Sequence, residues 1–316
     1  VSSQGKGRIL LAVTGFNPKR WYELLSRERT VVLEPEGPRD PTIRYAVVWK
    51  QKPNLLSNLP NLQAIFSIGA GVDHLFSDPG LPDVPIVRVV AENLTQYMCE
   101  YVVWRVLDHH RQGALYRSQQ ARKIWHEPPQ PPAGEVTVGI MGLGHLGRAA
   151  ATALLALGYR VNGWTRTERP MDGVSCWHGR NGLADFLAAT DILVVLLPLT
   201  PETRGIIDHA LLSRLRSDNA IGGAVLINAG RGKLQRDADI LRALDDGTLK
   251  EASLDVFEEE PLPETSPLWE HPKLFVTPHA AATSDPAHLV PPMLAQMDAL
   301  ERGEPLKNTV DRRAGY

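Results

Sequence analysis

The residues best suited to chemistry in this chain follow three apolar runs in its second half: Asn228-Ala-Gly-Arg-Gly232, Leu254-Asp-Val-Phe-Glu-Glu-Glu-Pro-Leu-Pro263 and Thr277-Pro-His-Ala-Ala281. Short apolar runs read as buried strands, and open α/β sheets bind ligands beyond the carboxyl ends of their strands. The three turns supply a guanidinium (Arg231), a carboxylate (Glu260) and an imidazole (His279). A planar guanidinium can fork onto the carboxylate and neighbouring carbonyl oxygen of a 2-oxo acid, fixing the ketone and polarising it, a grip lysine lacks. An imidazole transfers protons near neutral pH, so His279 is the candidate donor to that oxygen as hydride arrives. Glu260 is read as the group that orients the ring from its far nitrogen and favours the imidazolium. Singly, each is ordinary: a turn arginine is usually a surface charge, a glutamate in a run of three is usually solvated, and a histidine after proline is commonly a loop residue. Their coincidence after three strands matches what reduction of a 2-oxo acid requires.

Hydride needs a carrier, and the sequence offers a seat for one. Val136-Thr-Val-Gly-Ile-Met-Gly-Leu-Gly-His-Leu-Gly147 closes an apolar strand with Gly142-x-Gly144-x-x-Gly147 and runs into an alanine-rich helix read over Arg148–Leu157. Gly142 permits the tight turn, Gly144 lets the backbone approach a pyrophosphate, and Gly147 allows helix and strand to touch. Amide groups at the helix start, including those of His145 and Leu146, would face the anion. The motif alone is weak; strand before and helix after make it a dinucleotide site. NAD-selective folds place an acid at the end of the next strand, about 20 residues on. Here that strand ends in Thr165-Arg166-Thr167, a cation flanked by hydroxyls that suits a 2′-phosphate. NADP(H) is therefore the expected cofactor, with NAD(H) the alternative if Arg166 is a surface charge and Glu168 holds the ribose.

The elements that must position these groups alternate throughout. Strand-like runs at Ile9–Val13, Tyr45–Trp49, Leu62–Ser67 and Ile86–Val90 are separated by helical segments such as Trp21–Arg29. Leu94 to about Gln120 reads as one long helix capped by Asn93 or Thr95. Glu127-Pro-Pro-Gln-Pro-Pro-Ala-Gly134 then acts as a stiff connector. Beyond it, six strands are expected at Val136–Met141, Tyr159–Trp164, Ile192–Leu197, Ala224–Asn228, Glu251–Val256 and Leu274–Val276, before a final helical pattern near Pro286–Arg302. The fold class is thus α/β, with two doubly wound parallel-sheet domains: a dinucleotide-binding Rossmann domain over 99–281, and a flavodoxin-like substrate domain formed by both chain ends, 1–98 and 282–316. The reaction is expected in the cleft between them.

Composition removes other classes. With 34 basic against 36 acidic residues and a formal charge of −2, no global field draws the chain to nucleic acid or an anionic membrane. No apolar run approaches the about 20 residues needed to span a bilayer. The N-terminal residues lack the apolar core of a signal peptide, so a cytoplasmic location is expected. Cys99 and Cys176 are the only cysteines and form no ligand cluster, so neither a disulfide framework nor a metal site is expected.

The Arg, Glu and His after three successive strands resemble the D-isomer-specific 2-hydroxyacid dehydrogenase family over nearly the whole chain. Within it the likeness is greatest to the glyoxylate/hydroxypyruvate reductase A group, carried by Val47-Val-Trp49, Gly69-Ala-Gly-Val-Asp73, Trp164-Thr-Arg166, Asp255-Val-Phe with Glu260-Pro-Leu-Pro263, and Asp311-Arg-Arg-Ala-Gly-Tyr316. The segment Gln51–Pro60 departs from that pattern, which touches substrate ranking more than chemistry. The resemblance implies that Arg231, Glu260 and His279 are catalytic, that Asp255 holds the nicotinamide carboxamide, and that Pro198 and Thr203 line the cofactor cleft; Ala229 is counted with them. It also implies that backbone amides of Gly69, Ala70 and Gly71 meet the substrate carboxylate, with Trp49 closing over a pocket sized for glyoxylate or hydroxypyruvate. Trp49 as a plain core aromatic is the alternative. Similar proteins are dimers, and an apolar stripe of Trp104, Leu107 and Leu115 could face a partner subunit or pack internally. Two other functions stay open at this level: a non-catalytic NAD(P)-sensing regulatory protein, and a dehydrogenase of a larger 2-hydroxy acid.

Overall fold

The computed structural model describes residues 6–35, 39–69, 71–88 and 92–312. Along the chain run β1 (Arg8–Val13), α1 (Lys19–Leu25), β2 (Val31–Val32), β3 (Ile43–Trp49), β4 (Ala64–Ser67), α2 (Asp73–Phe76), β5 (Ile86–Arg88), α3 (Glu92–His110) and α4 (Gly113–Ala121). There follow β6 (Thr137–Met141), α5 (His145–Ala156), β7 (Arg160–Thr165), β8 (Val174–His178), α6 (Gly179–Ala188), β9 (Ile192–Val195), α7 (His209–Leu212), β10 (Val225–Asn228), α8 (Asp237–Asp245), β11 (Glu251–Leu254), β12 (Leu274–Val276) and α9 (Pro286–Glu301). The chain divides into two compact units, one of residues 1–94 with 284–316 and one of residues 95–283.

In the first unit the five strands lie in the order β2-β1-β3-β4-β5. All pairs are parallel, the doubly wound order of flavodoxin-like sheets. Alternation along β1 explains the burial on both faces. Ile9 and Leu11 join a cluster with Trp21, Leu25 and the α9 residues Leu289, Met293 and Met297, whereas Leu10 and Ala12 join Leu56, Leu62 and Leu75 on the other side. Arg29, whose side chain is fully covered, bonds to Glu301 and Asp298 of α9 and so ties the C-terminal helix to this sheet.

The second unit carries a seven-stranded parallel sheet in the order β12-β11-β10-β9-β6-β7-β8. Chain order reverses between β6 and β9, the point at which such sheets take ligands. Registers align the strand ends: Met141 pairs with Trp164 and Val195, Val195 with Asn228, Asn228 with Leu254, and Leu254 with Val276.

Four details differ from the sequence reading. The single long helix over 94–120 is two, α3 and α4, separated by Gln112 in the left-handed region at φ 59°. The break is tight, since a Cβ on Gly113 would stand 2.0 Å from Asp108 Oδ1. Asn93 and Thr95 lie inside α3 and are not its caps. The second sheet has seven strands, because β8 was not anticipated; it is a half-exposed edge strand whose Ser175 and Cys176 dilute the apolar signal, and it is flanked by the turn glycines Gly173 and Gly179. In the first sheet the two-residue β2 is too short to register as a pattern. The expected strand over Ile86–Val90 is described as far as Arg88, residues 89 and 90 lying outside the described residues. No helix among the described residues is long and apolar enough to cross a membrane.

Candidate active site

The site is built on the carboxyl edge of the second sheet. Because Asn228, Leu254 and Val276 are in register on adjacent strands about 4.8 Å apart, the turns that follow them leave the sheet side by side. His279 Nδ1 lies 2.9 Å from Glu260 Oε2, so the imidazole is bonded on one nitrogen and Nε2 is the remaining one. The His279 side chain is 35% exposed, open enough to meet a ligand. Glu260 is itself anchored, its Oε1 accepting from the Phe257 amide at 3.2 Å.

The turn carrying His279 is strained and firmly held. His279 adopts φ 53°, a region uncommon for a residue with a Cβ. Its amide donates to the Asp255 carbonyl at 2.8 Å. The Asp255 carboxylate, 1% exposed, accepts from Thr277 Oγ1 at 2.7 Å and from the amides of Ala280 and Ala281 at 2.8 and 3.0 Å. Burial pushes this carboxyl above its usual range, while those three hydrogen bonds pull the other way. Tyr101 of α3 closes the arrangement, its hydroxyl 2.8 Å from Thr277 Oγ1.

Arg231 leaves the turn after β10, its Nη1 donating to the Gly230 carbonyl at 2.7 Å. Asn228 organises that turn from a fully buried position, accepting from the Gly230 amide and donating to Gln235 Oε1 at 2.7 Å. Gln235 in turn donates to the Val256 carbonyl, and Gly232 lies directly on the Phe257 backbone. The Arg231, Glu260 and His279 turns are therefore joined by buried contacts. Thr277, Tyr101, Gln235 and the Gly232–Phe257 contact carry no local sequence signal and were not anticipated.

The glycine-rich turn has the geometry a phosphate requires. Gly142 takes φ 109°, and a Cβ there would approach Leu196 O to 2.8 Å; one on Gly147 would stand 2.0 Å from Gly142 O. Gly144 is exposed with nothing within 4 Å of its missing Cβ, which leaves room for a ligand against the backbone. α5 begins at His145, inside the motif and earlier than the Arg148 read from sequence, and no side chain caps its first turn. The amides of His145 and Leu146 thus belong to a helix N-terminus suited to an anion.

Thr165 ends β7 largely buried, donating to the Thr167 carbonyl at 2.6 Å, and Arg166 and Thr167 are exposed beyond it. Thr203 Oγ1 donates to the Pro198 carbonyl at 2.7 Å and accepts from the Thr200 amide, which folds 198–203 into a compact turn. On that turn the Glu202 carboxyl is held below its ordinary range, chiefly by the Thr200 hydroxyl and further by the Arg166 charge. Ala229 is buried, its amide bonded to Val195 O.

Within the first unit the indole of Trp49 packs on Gly69, where a Cβ would stand 2.1 Å from Cζ3, and against the His74 ring at 4.9 Å. Ser67 Oγ braces the adjoining loop by donating to the carbonyls of Gly69 and Gly71. Ala70 lies outside the described residues.

Comparison with known proteins agrees with this architecture. The family described as D-isomer specific 2-hydroxyacid dehydrogenase, NAD binding domain, matches residues 103–281. The glyoxylate/hydroxypyruvate reductase A of Salmonella heidelberg (strain SL476) is 37% identical over 313 residues, 95% of this chain and 97% of that protein. Among solved structures, the NADPH-dependent glyoxylate/hydroxypyruvate reductase of Sinorhizobium meliloti, in complex with NADP and sulfate, is 45% identical with a TM-score of 0.93, covering 98% of this chain and 100% of the other. A D-isomer specific 2-hydroxyacid dehydrogenase of Xanthobacter autotrophicus Py2, in complex with NADPH and MES, is 39% identical with a TM-score of 0.91, covering 99% and 100%.

Proposed function

This chain belongs to the D-isomer specific 2-hydroxyacid dehydrogenase family, and from that premise we propose that it reduces small 2-oxo acids, glyoxylate and hydroxypyruvate, to 2-hydroxy acids with NADPH. The observation that carries the reading is the His279–Glu260 pair, 2.9 Å apart, on the same sheet edge as an open glycine-rich turn. The reductases compared above, one of them holding NADP, support the substrates and the cofactor.

The residues present fit a dinucleotide. The space over Gly144 and the uncapped start of α5 suit the pyrophosphate; exposed Arg166, with no acid at 165–167, suits an adenosine 2′-phosphate. Gly142, His145, Leu146, Gly147, Thr165, Thr167, Pro198, Thr203, Ala229 and Asp255 are proposed to complete its contacts. When bound, the reduced nicotinamide supplies the hydride.

Arg231 then binds the substrate carboxylate and steadies the ketone oxygen, where negative charge develops. His279 delivers a proton from Nε2 to that oxygen, so the carbonyl gains one hydride at carbon and one proton at oxygen. Glu260 keeps the ring in place through Nδ1 and balances its positive charge before the transfer. Trp49, Gly69, Ala70 and Gly71 are proposed to bind substrate; the Trp49 ring against Gly69 favours small substituents over branched or aromatic ones.

The proposal extends to a homodimer and a cytoplasmic location. Exposed Tyr97, Trp104, Tyr116, Ile124 and Trp125 on α3, α4 and the segment after them support the first. The free thiols of Cys99 and Cys176 support the second. The deciding experiment follows NADPH and NADH consumption with glyoxylate, hydroxypyruvate, pyruvate and phenylpyruvate side by side. Fast turnover of the first two with NADPH is expected; no turnover with any of the four, or a preference for phenylpyruvate, overturns the reading.

A further inference from the structure

β8, the strand the sequence did not reveal, sets His178 opposite Thr165, the residue before Arg166, and Arg180 follows two residues later at the start of α6. β7 and β8 are parallel, and Thr165 pairs with His178 at their carboxyl ends. The two residues before them, Trp164 and Trp177, pack with Phe186 and Leu187 on the α6 side of the sheet. Side chains alternate across a strand, so Thr165 and His178 project to the other side. That is the side on which Val161, Leu143 and the α5 residues Ala150 and Leu154 pack, beside the phosphate-binding turn. β8 is the last strand of its sheet, so no further strand covers His178.

The chains stay adjacent beyond the pair. Trp164 Nε1 donates to the Gly179 carbonyl at 2.9 Å, and a Cβ on Gly179 would lie 3.9 Å from Arg166 O. Gly179 takes φ 64°, which turns the backbone directly into α6 and places Arg180 in its first turn. His178 and Arg180 are exposed, and neither side chain makes a hydrogen bond or ion pair with any described residue.

A phosphate monoester carries roughly −1.5 to −2 charges and three acceptor oxygens at neutral pH. One guanidinium engages two of those oxygens, and the neutral hydroxyls beside it leave much of the charge unbalanced. We propose that His178 and Arg180 form the second half of the seat for the cofactor's adenosine 2′-phosphate and strengthen the preference for NADP(H) over NAD(H). This rests on the cofactor reading above, in which Arg166 forms the first half.

Calorimetric titration with NADP⁺ and with NAD⁺ tests it without turnover. His178→Gln and Arg180→Gln together are expected to raise the Kd for NADP⁺ about tenfold and to lower the NADP⁺/NAD⁺ selectivity by the same factor, with Arg180→Lys restoring part of it. Arg166→Gln is titrated alongside. A selectivity that collapses in Arg166→Gln but is intact in the His178/Arg180 double variant overturns this proposal and leaves the cofactor reading standing. A wild-type protein with no selectivity for NADP⁺ overturns both. Equal weakening of both nucleotides in the double variant also overturns the proposal, because a 2′-phosphate contact cannot act on NAD⁺.

Discussion

Gly232 lies so close to Phe257 that a Cβ built on the glycine would stand 1.7 Å from the Phe257 carbonyl oxygen and 2.0 Å from its carbon. The residue after Arg231 is therefore pressed against the backbone that leads to Glu260. Gly232→Ala must push the two turns apart, and a shift near 1 Å in a reacting group costs about 100-fold in rate. A fall of that order in kcat/KM is expected, together with lower thermal stability; an alanine variant with normal kinetics would show that the two turns move independently.

This contact also marks where the sequence stops being legible. Gly142, Gly144 and Gly147 could be read because the turn they make is local, and Arg231, Glu260 and His279 because each follows an apolar run that ends at a strand terminus. Gly232 on Phe257, Tyr101 on Thr277, and His178 beside Thr165 depend on register between segments distant in the chain, which residue types alone do not encode. The break at Gln112 was hidden for another reason: the apolar pattern continues through a turn that hinges on one left-handed residue.

Thr277 holds the turn of His279 through Asp255. Thr277→Val keeps the shape but removes the donor to Asp255 Oδ1 and the partner of the Tyr101 hydroxyl. Losing a buried hydrogen bond costs roughly 1–3 kcal/mol, and the Asp255 carboxyl, already raised by burial, should rise further. Urea denaturation and kcat should both register the change. Wild-type stability and turnover in this variant would exclude the brace.

Arg231→Lys keeps the charge and discards the fork. A raised KM for glyoxylate and a lowered kcat are expected from steady-state kinetics. Unchanged values of both would rule out bidentate binding of the substrate.

Acid should loosen the C-terminal helix. The Arg29 hydrogen bonds hold the Glu301 carboxyl down to about 2, against 4.5 ordinarily. Its folded value lies below its unfolded one, so the stabilisation is complete above about pH 4.5 and is lost as pH falls toward 2. Arg29 is covered, but the Glu301 side chain is 30% exposed and Asp298 remains as a partner, so losing this charge should cost about 1 kcal/mol. Glu301→Gln should therefore unfold more readily than the parent at pH 7, with the gap closing by pH 2; a gap independent of pH would disprove the linkage.

The most direct test is turnover by His279→Ala with saturating NADPH and glyoxylate, paired with a fluorescence titration of NADPH binding. Loss of a general acid costs about 100-fold or more. Proton donation by His279 predicts at least that fall in kcat with NADPH still bound, and near-normal turnover in the alanine variant would contradict it.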